Sequence, residues 1–214
     1  MFPGIKTMEK EIDYSVYLVT DKDCLQGREL LDCVEQALRG GVTLVQYRSK
    51  SGDSLSMYRE ALALKRLCDK FEVPLIINDR LDIALAVGAA GLHVGQEDLP
   101  CAVVRRLVGK DFLIGVSVHD VKEAQQALQD GADYLGCGAV FSTQTKLDVD
   151  VMGLELLRKI RSSVSLPCVG IGGISPDNYA QVLATGVEGA AMVSAILGAE
   201  DIESQVRKFL ALRP

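Results

Sequence analysis

The chain has 214 residues, 48% of them apolar, with 20 glycines, and 23 Lys and Arg against 29 Asp and Glu give a formal net charge of -6. At this length roughly 70% of the unfolded surface is buried on folding, enough for a substantial core, so disordered and fibrous classes are excluded. No apolar run reaches the ~20 residues of a bilayer span, and an acidic balance without basic clusters or aromatic runs argues against a nucleic-acid partner, so that any anionic ligand must be held by a few placed groups.

The first thirteen residues carry Lys6, Glu9, Lys10 and Glu11 and read as an N-terminal extension rather than a signal peptide. Eight β-rich runs then follow: 14–20, 42–48, 74–79, 91–95, 112–118, 133–138, 167–173 and 189–194. They are short and nearly continuously apolar, as parallel strands covered on both faces are. Helical patterns separate them, such as Leu55, Tyr58 and Leu62, or Ala124, Ala127 and Leu128. Before several strands stands a glycine stop, at Gly40-Gly41, Gly88, Gly131 and Gly186, where a left-handed residue ends a helix cheaply.

Repeated βα units, eight in about 200 residues, predict an α/β fold: a single (β/α)8 TIM barrel occupying 1–214 as one domain. A doubly wound open sheet is the alternative. It needs a glycine-rich first turn, whereas the first run ends Val19-Thr20-Asp21-Lys22. The six cysteines are scattered with no C-x-x-C pair, so neither a disulfide framework nor a thiol metal site is expected, and a reducing, cytoplasmic setting is.

In such barrels the chemistry gathers at the C-terminal strand ends. There the sequence places Gln46, Arg48 and Lys50; Asn78 and Asp79; Gln96, Glu97 and Asp98; Ser117 and His119; Ser142, Thr143, Thr145 and Lys146; Gly172 and Gly173; and Val193 and Ser194. The two glycines with Ser194 and the segment after it suit a phosphate, because glycine lets backbone N–H groups approach an anion. The bland alternative is that they only permit tight turns. Arg48, Lys50 and Lys146 are cations at one rim of an acidic protein, which suggests a polyanion. Asp79 and Asp98 on adjacent strand ends suit Mg2+, with phosphate completing its shell. Equally, Arg48 could simply pair with Asp79, and Asp98 could cap the helix starting near Pro100. His93 and His119 read as strand residues making local hydrogen bonds, since neither has an evident nucleophile partner. Asp148 and Asp150, and the Glu200-Asp201-Glu203 group, read as solvated helix starts.

Gln46-x-Arg48-x-Lys50, Ile77-Asn78-Asp79-Arg80, Leu92-His93-Val94-Gly95-Gln96-Glu97-Asp98, Gly115-x-Ser117-x-His119, Thr143-x-Thr145-Lys146 and Gly170-Ile171-Gly172-Gly173-Ile174 together resemble the thiamine-phosphate synthase family, in order over about 14–201. The resemblance implies an enzyme that condenses 4-amino-2-methyl-5-(diphosphooxymethyl)pyrimidine with a (carboxy)thiazole phosphate, releasing diphosphate and forming thiamine phosphate, by a dissociative path needing no side-chain nucleophile. Carried over by motif, Gln46, Arg48, Lys50, Asn78, Ser117 and Lys146 contact the pyrimidine diphosphate, with Arg48, Lys50 and Lys146 the catalytic cations. Thr143, Thr145, Gly173, Val193 and Ser194 hold the thiazole phosphate, with Gly172 the alternative to Gly173, and Asp79 and Asp98 hold Mg2+. Tyr47, Ser49 and Ser142 depart from the family's usual residues between functional positions. A thiazole tautomerase-like isomerase, or a non-catalytic barrel that binds thiazole phosphate, are the rival readings. The first would have little use for a full diphosphate and metal set.

Overall fold

A computed structural model describes residues 12–143 and 150–213. All eight expected strands are present, each trimmed by up to two residues at an end: β1 Val16–Val19, β2 Leu44–Tyr47, β3 Leu75–Asn78, β4 Gly91–Val94, β5 Leu113–Val118, β6 Tyr134–Cys137, β7 Cys168–Ile171 and β8 Gly189–Met192. Every neighbouring pair is parallel, and β8 returns to β1, with Tyr17 opposite Leu44 on one side and Ala191 on the other. That closure excludes the open-sheet alternative. The helices are α1 Leu30–Gly40, α2 Ser54–Lys70, α3 Leu81–Val87, α4 Cys101–Val108, α5 Val121–Gln129, α6 Gly153–Ser163, α7 Pro176–Leu183, the single turn α8 Ser194–Leu197 and α9 Ile202–Ala211. None of them is long and apolar enough to cross a membrane.

Strand alternation divides the core in two. Val16, Leu18, Val45, Tyr47, Ile77 and Leu92 point outward to the helices, while Tyr17, Val19, Leu44, Ile76, Tyr134, Val169 and Ala191 fill the barrel interior. Both faces are dry, which is why the strands read as unbroken apolar runs. Helices bury one stripe: in α1 Leu30, Cys33, Val34, Ala37 and Leu38 recur at the three- and four-residue spacing of a helix face. Each fully buried Leu or Val contributes roughly 1.5–3 kcal/mol relative to exposure.

The ends of the helices follow local chemistry. Asp53, Asp120 and Asp201 each accept backbone N–H bonds at a helix start, so Asp201 is the expected helix start, and Ser175 with Asn178 forms a capping box. Gly41 and Gly88 close α1 and α3 in the left-handed conformation, as their place before a strand predicts.

Glycine also acts inside the barrel. A Cβ on Gly115 would lie 2.2 Å from Tyr134 Cζ and 2.4 Å from His93 Nδ1. The bare backbone of β5 is what admits two large polar rings to the interior beneath the strand ends.

Candidate active site

A cavity of about 770 Å³ opens at the C-terminal end of the barrel. Gln46, Arg48, Lys50, Asn78, Asp79, Asp98, Ser117, Thr143, Gly173, Val193 and Ser194 all line it. Sequence reasoning therefore brought together one site from seven strand ends, and Thr145 and Lys146 lie outside the described residues. Asp148 lies outside them as well.

The first strand end contributes too, and the sequence reading passed over it. Asp21, 3% exposed, holds both described cations: Arg48 Nη1 stands 3.1 Å from its Oδ2 and Lys50 Nζ 2.8 Å. Lys50 also reaches Asp23 at 3.2 Å, and Asp21 accepts the Asp23 N–H, capping a 3-10 turn over Lys22–Cys24. Thr20 Oγ1 accepts the Arg48 N–H at 2.9 Å, tying the ends of β1 and β2. The bland alternative, an Arg48–Asp79 ion pair, is not what forms: Arg48 pairs with Asp21. The signal in the sequence is the pair of carboxylates in Thr20-Asp21-Lys22-Asp23, directly after the first strand.

Asp79 sits at φ 61°, a left-handed conformation that Asp tolerates better than most residues. Its N–H donates to the His93 carbonyl at 2.8 Å, and the Asn78 side-chain amide donates to its carboxylate. Although the residue as a whole is exposed, its carboxyl is partly desolvated and lies against that of Asp98. Burial first, then the hydrogen bond and charge of Asp98, push the Asp79 carboxyl up to about 7, against a smaller opposing pull from Arg48. Asp98 does not cap α4. Its Oδ2 instead accepts the Gly95 N–H at 2.7 Å inside its own loop, and Pro100 stands at the helix start without a side-chain cap.

Two crowded carboxylates whose ionisation is mutually unfavourable are a donor set for a hard cation. Among the described residues no group of three or more His, Cys, Asp or Glu could hold a metal. An ion held by this pair would take the rest of its shell from water or phosphate oxygens, as Mg2+ commonly does.

At the opposite wall Gly172 and Gly173 have φ 98° and 64°. A Cβ on Gly173 would stand 2.5 Å from the Ser142 carbonyl, and one on Gly172 2.7 Å from Ala139 Cβ. Both positions demand glycine for the turn itself, and both also face the cavity.

The histidines divide. His119 bonds locally: its Nδ1 and backbone N lie 3.0 and 2.7 Å from Glu123 Oε2. His93, expected to do the same, instead bonds across the barrel, because Gly115 of β5 and Gly136 of β6 leave room for its ring. Its Nδ1 is 3.0 Å from the Tyr134 hydroxyl and its Nε2 2.9 Å from Ser117 Oγ. Tyr134 meets the Tyr17 hydroxyl at 2.9 Å, and Gln46 Nε2 donates to Tyr17 at 2.7 Å. Burial pushes the His93 imidazolium down to about 4, so the ring is neutral at pH 7. Tyr17 and Tyr134 were legible in sequence only as apolar strand residues.

The model of one protein family, described as "Thiamine monophosphate synthase", matches residues 16–196. The chain belongs to the thiamine monophosphate synthase family. Among relatives, it is 51% identical over 205 residues to a protein of Ruminiclostridium cellulolyticum named thiamine-phosphate synthase, covering 96% of this chain and 98% of that one. A Clostridium acetobutylicum protein of the same name is 48% identical over 198 residues, covering 92% and 94%. Among solved structures, thiamine phosphate pyrophosphorylase from Pyrococcus furiosus superposes with a TM-score of 0.88 at 39% identity, over 94% of this chain and 96% of that one.

Proposed function

We propose that this chain acts as a thiamine-phosphate synthase, a transferase of thiamine biosynthesis that joins 4-amino-2-methyl-5-(diphosphooxymethyl)pyrimidine to a (carboxy)thiazole phosphate, yielding thiamine phosphate and diphosphate. The observation that carries it is one cavity combining Arg48 and Lys50 with the carboxyl pair Asp79 and Asp98, in a chain 51% identical to a relative of that name.

The carbon–oxygen bond to the diphosphate breaks, and the thiazole nitrogen forms the new carbon–nitrogen bond. Negative charge therefore accumulates on the departing diphosphate, which Arg48, Lys50 and Lys146 receive. Because Asp21 already holds Arg48 and Lys50 in place, little reorganisation is needed when charge develops. Loss of one such contact typically costs ~10²-fold in rate. Gln46, Asn78 and Ser117 orient the pyrimidine. Thr143, Thr145, Gly173, Val193 and Ser194 hold the thiazole phosphate so that its nitrogen meets the reacting carbon. Asp79 and Asp98 would hold Mg2+, which when bound supplies positive charge to the diphosphate oxygens. No side-chain nucleophile is required, because the thiazole itself attacks.

On this reading the chain works as one barrel domain with an N-terminal extension at 1–13, in the cytoplasm. The eight strands closing on one another and six free thiols support it. Incubating the protein with both substrates and Mg2+ should release diphosphate and thiamine phosphate in equal amounts. Tight binding without product would overturn the synthase reading, and isomerisation of the thiazole phosphate alone would replace it with the tautomerase one.

A further inference from the structure

Five polar side chains form one continuous hydrogen-bonded line through the barrel interior: Gln46 to Tyr17, Tyr17 to Tyr134, Tyr134 to His93, and His93 to Ser117. Its inner members are nearly inaccessible to bulk solvent, Tyr17 at 1%, Tyr134 at 0% and His93 at 7% exposure, and they also line the cavity. The two ends, Gln46 and Ser117, both open on the cavity. The line runs from β2 through β1, β6 and β4 to β5, so it links side chains that are far apart around the barrel.

Proton counting restricts what such a line can do. Each tyrosine and the serine hydroxyl has one hydrogen, and a neutral imidazole has one N–H and one acceptor nitrogen. With Gln46 Nε2 donating to Tyr17, Tyr17 must donate to Tyr134 and Tyr134 to His93 Nδ1. His93 then carries its proton on Nε2 and donates to Ser117. The cavity consequently meets the Gln46 carbonyl as an acceptor and the Ser117 hydroxyl as a donor. Reversing Gln46 reverses every joint, and then the cavity meets an amide donor and a serine lone pair. Any mixed arrangement sets two donors or two acceptors face to face in a dry interior, leaving a buried polar group unpaired. Among the described residues no buried side-chain nitrogen or oxygen lacks a partner.

We propose that Tyr17, Tyr134 and His93 are positioning residues that couple Gln46 to Ser117, so that the site always offers a ligand one donor and one acceptor at opposite ends. The inference rests on the proposed function in taking the ligand between them to be an aminopyrimidine. Such a ring carries both N–H donors and lone-pair nitrogens, and a one-sense line matches that pattern. Replacing the amino group by an oxo group inverts donor and acceptor at one edge only, which the coupled pair cannot follow. The line is therefore a specificity device, whose inner residues act through the orientation they impose on Gln46 and Ser117.

A double-mutant cycle on the full-length protein tests this, read on the dissociation constant of the pyrimidine diphosphate and on kcat/KM. Gln46→Ala and Ser117→Ala should be strongly non-additive in the native background, the double variant losing about tenfold less than the product of the single losses, as contacting networks do. In a Tyr134→Phe background, which keeps the ring and removes the hydroxyl, the same two losses should multiply. Tyr17→Phe cuts the line at another joint and should give the same result if Tyr134→Phe folds poorly. KM for the thiazole phosphate should stay within about twofold throughout, which a merely structural role for Tyr134 would not respect. Multiplying losses in the native background, or unchanged coupling in both cut backgrounds, would overturn the proposal. Failure of the wild type to make thiamine phosphate would instead count against the proposed function, while the cycle could still be read on binding.

Discussion

Asp79 carries the clearest consequence at the scale of a single residue. Its carboxyl titrates near 7 in the folded protein and at 3.8 in its ordinary state, so between those values the folded form holds a proton that the unfolded form has lost. Stability from this group is complete below pH ~4 and is lost as pH rises through about 7. Metal-free wild type should therefore lose melting temperature relative to Asp79→Asn between pH 5 and 8. Asn is the informative replacement because it tolerates the left-handed backbone and cannot ionise. Adding Mg2+ at pH 8 should restore the wild type and leave the variant unmoved, while turnover of the variant falls ~10²-fold, the usual cost of one such contact. Parallel melting curves for the two proteins across that range, with or without Mg2+, would mean that the carboxyl pair is not a cation site.

At the scale of elements, the strand ends and the loops that follow them do different work. The strands set the spacing of Gln46, Asn78 and Ser117 through their parallel register, whereas the loop after β7 shapes its wall by glycine alone. Replacing Gly173 by Val would strain a positive-φ position and drive a side chain into the Ser142 carbonyl and Phe141. KM for the thiazole phosphate should rise at least tenfold, with KM for the pyrimidine diphosphate nearly unchanged, a pattern steady-state kinetics with each substrate varied will detect. The reverse pattern would mean that the two subsites are exchanged.

At the scale of the whole molecule, the barrel seals its thiols. Cys33, Cys68, Cys101, Cys137 and Cys168 are buried, and Cys24 alone is partly accessible. Burial also raises the Cys24 thiol, which slows its reaction. A thiol-reactive dye should therefore label at most one group rapidly in the native protein and all six after denaturation. Rapid labelling of two or more would show that the helical layer opens in solution. The net charge of -6 belongs to the same scale. Arg48 and Lys50 are local exceptions to it, held in the mouth by Asp21.

Much of this was legible in the chain before folding. Local patterns are set by neighbours in sequence: a doubly buried strand needs an apolar run, a helix needs a stripe and a stop, and eight repeats of that unit without a glycine-rich first turn favour a barrel over an open sheet. Those rules alone gave the eight strands, Asp201 as a helix start and eleven described residues of the mouth. Partners distant in sequence obey no such rule. That Arg48 chooses Asp21 over Asp79 and that His93 reaches Tyr134 and Ser117 depend on which side chains closure of the barrel brings within 3 Å or so. Hydrogen bonds and ion pairs are decided at that distance, so the sequence by itself determined the barrel and its chemistry-bearing rim, and only the tertiary structure decided who holds whom within it.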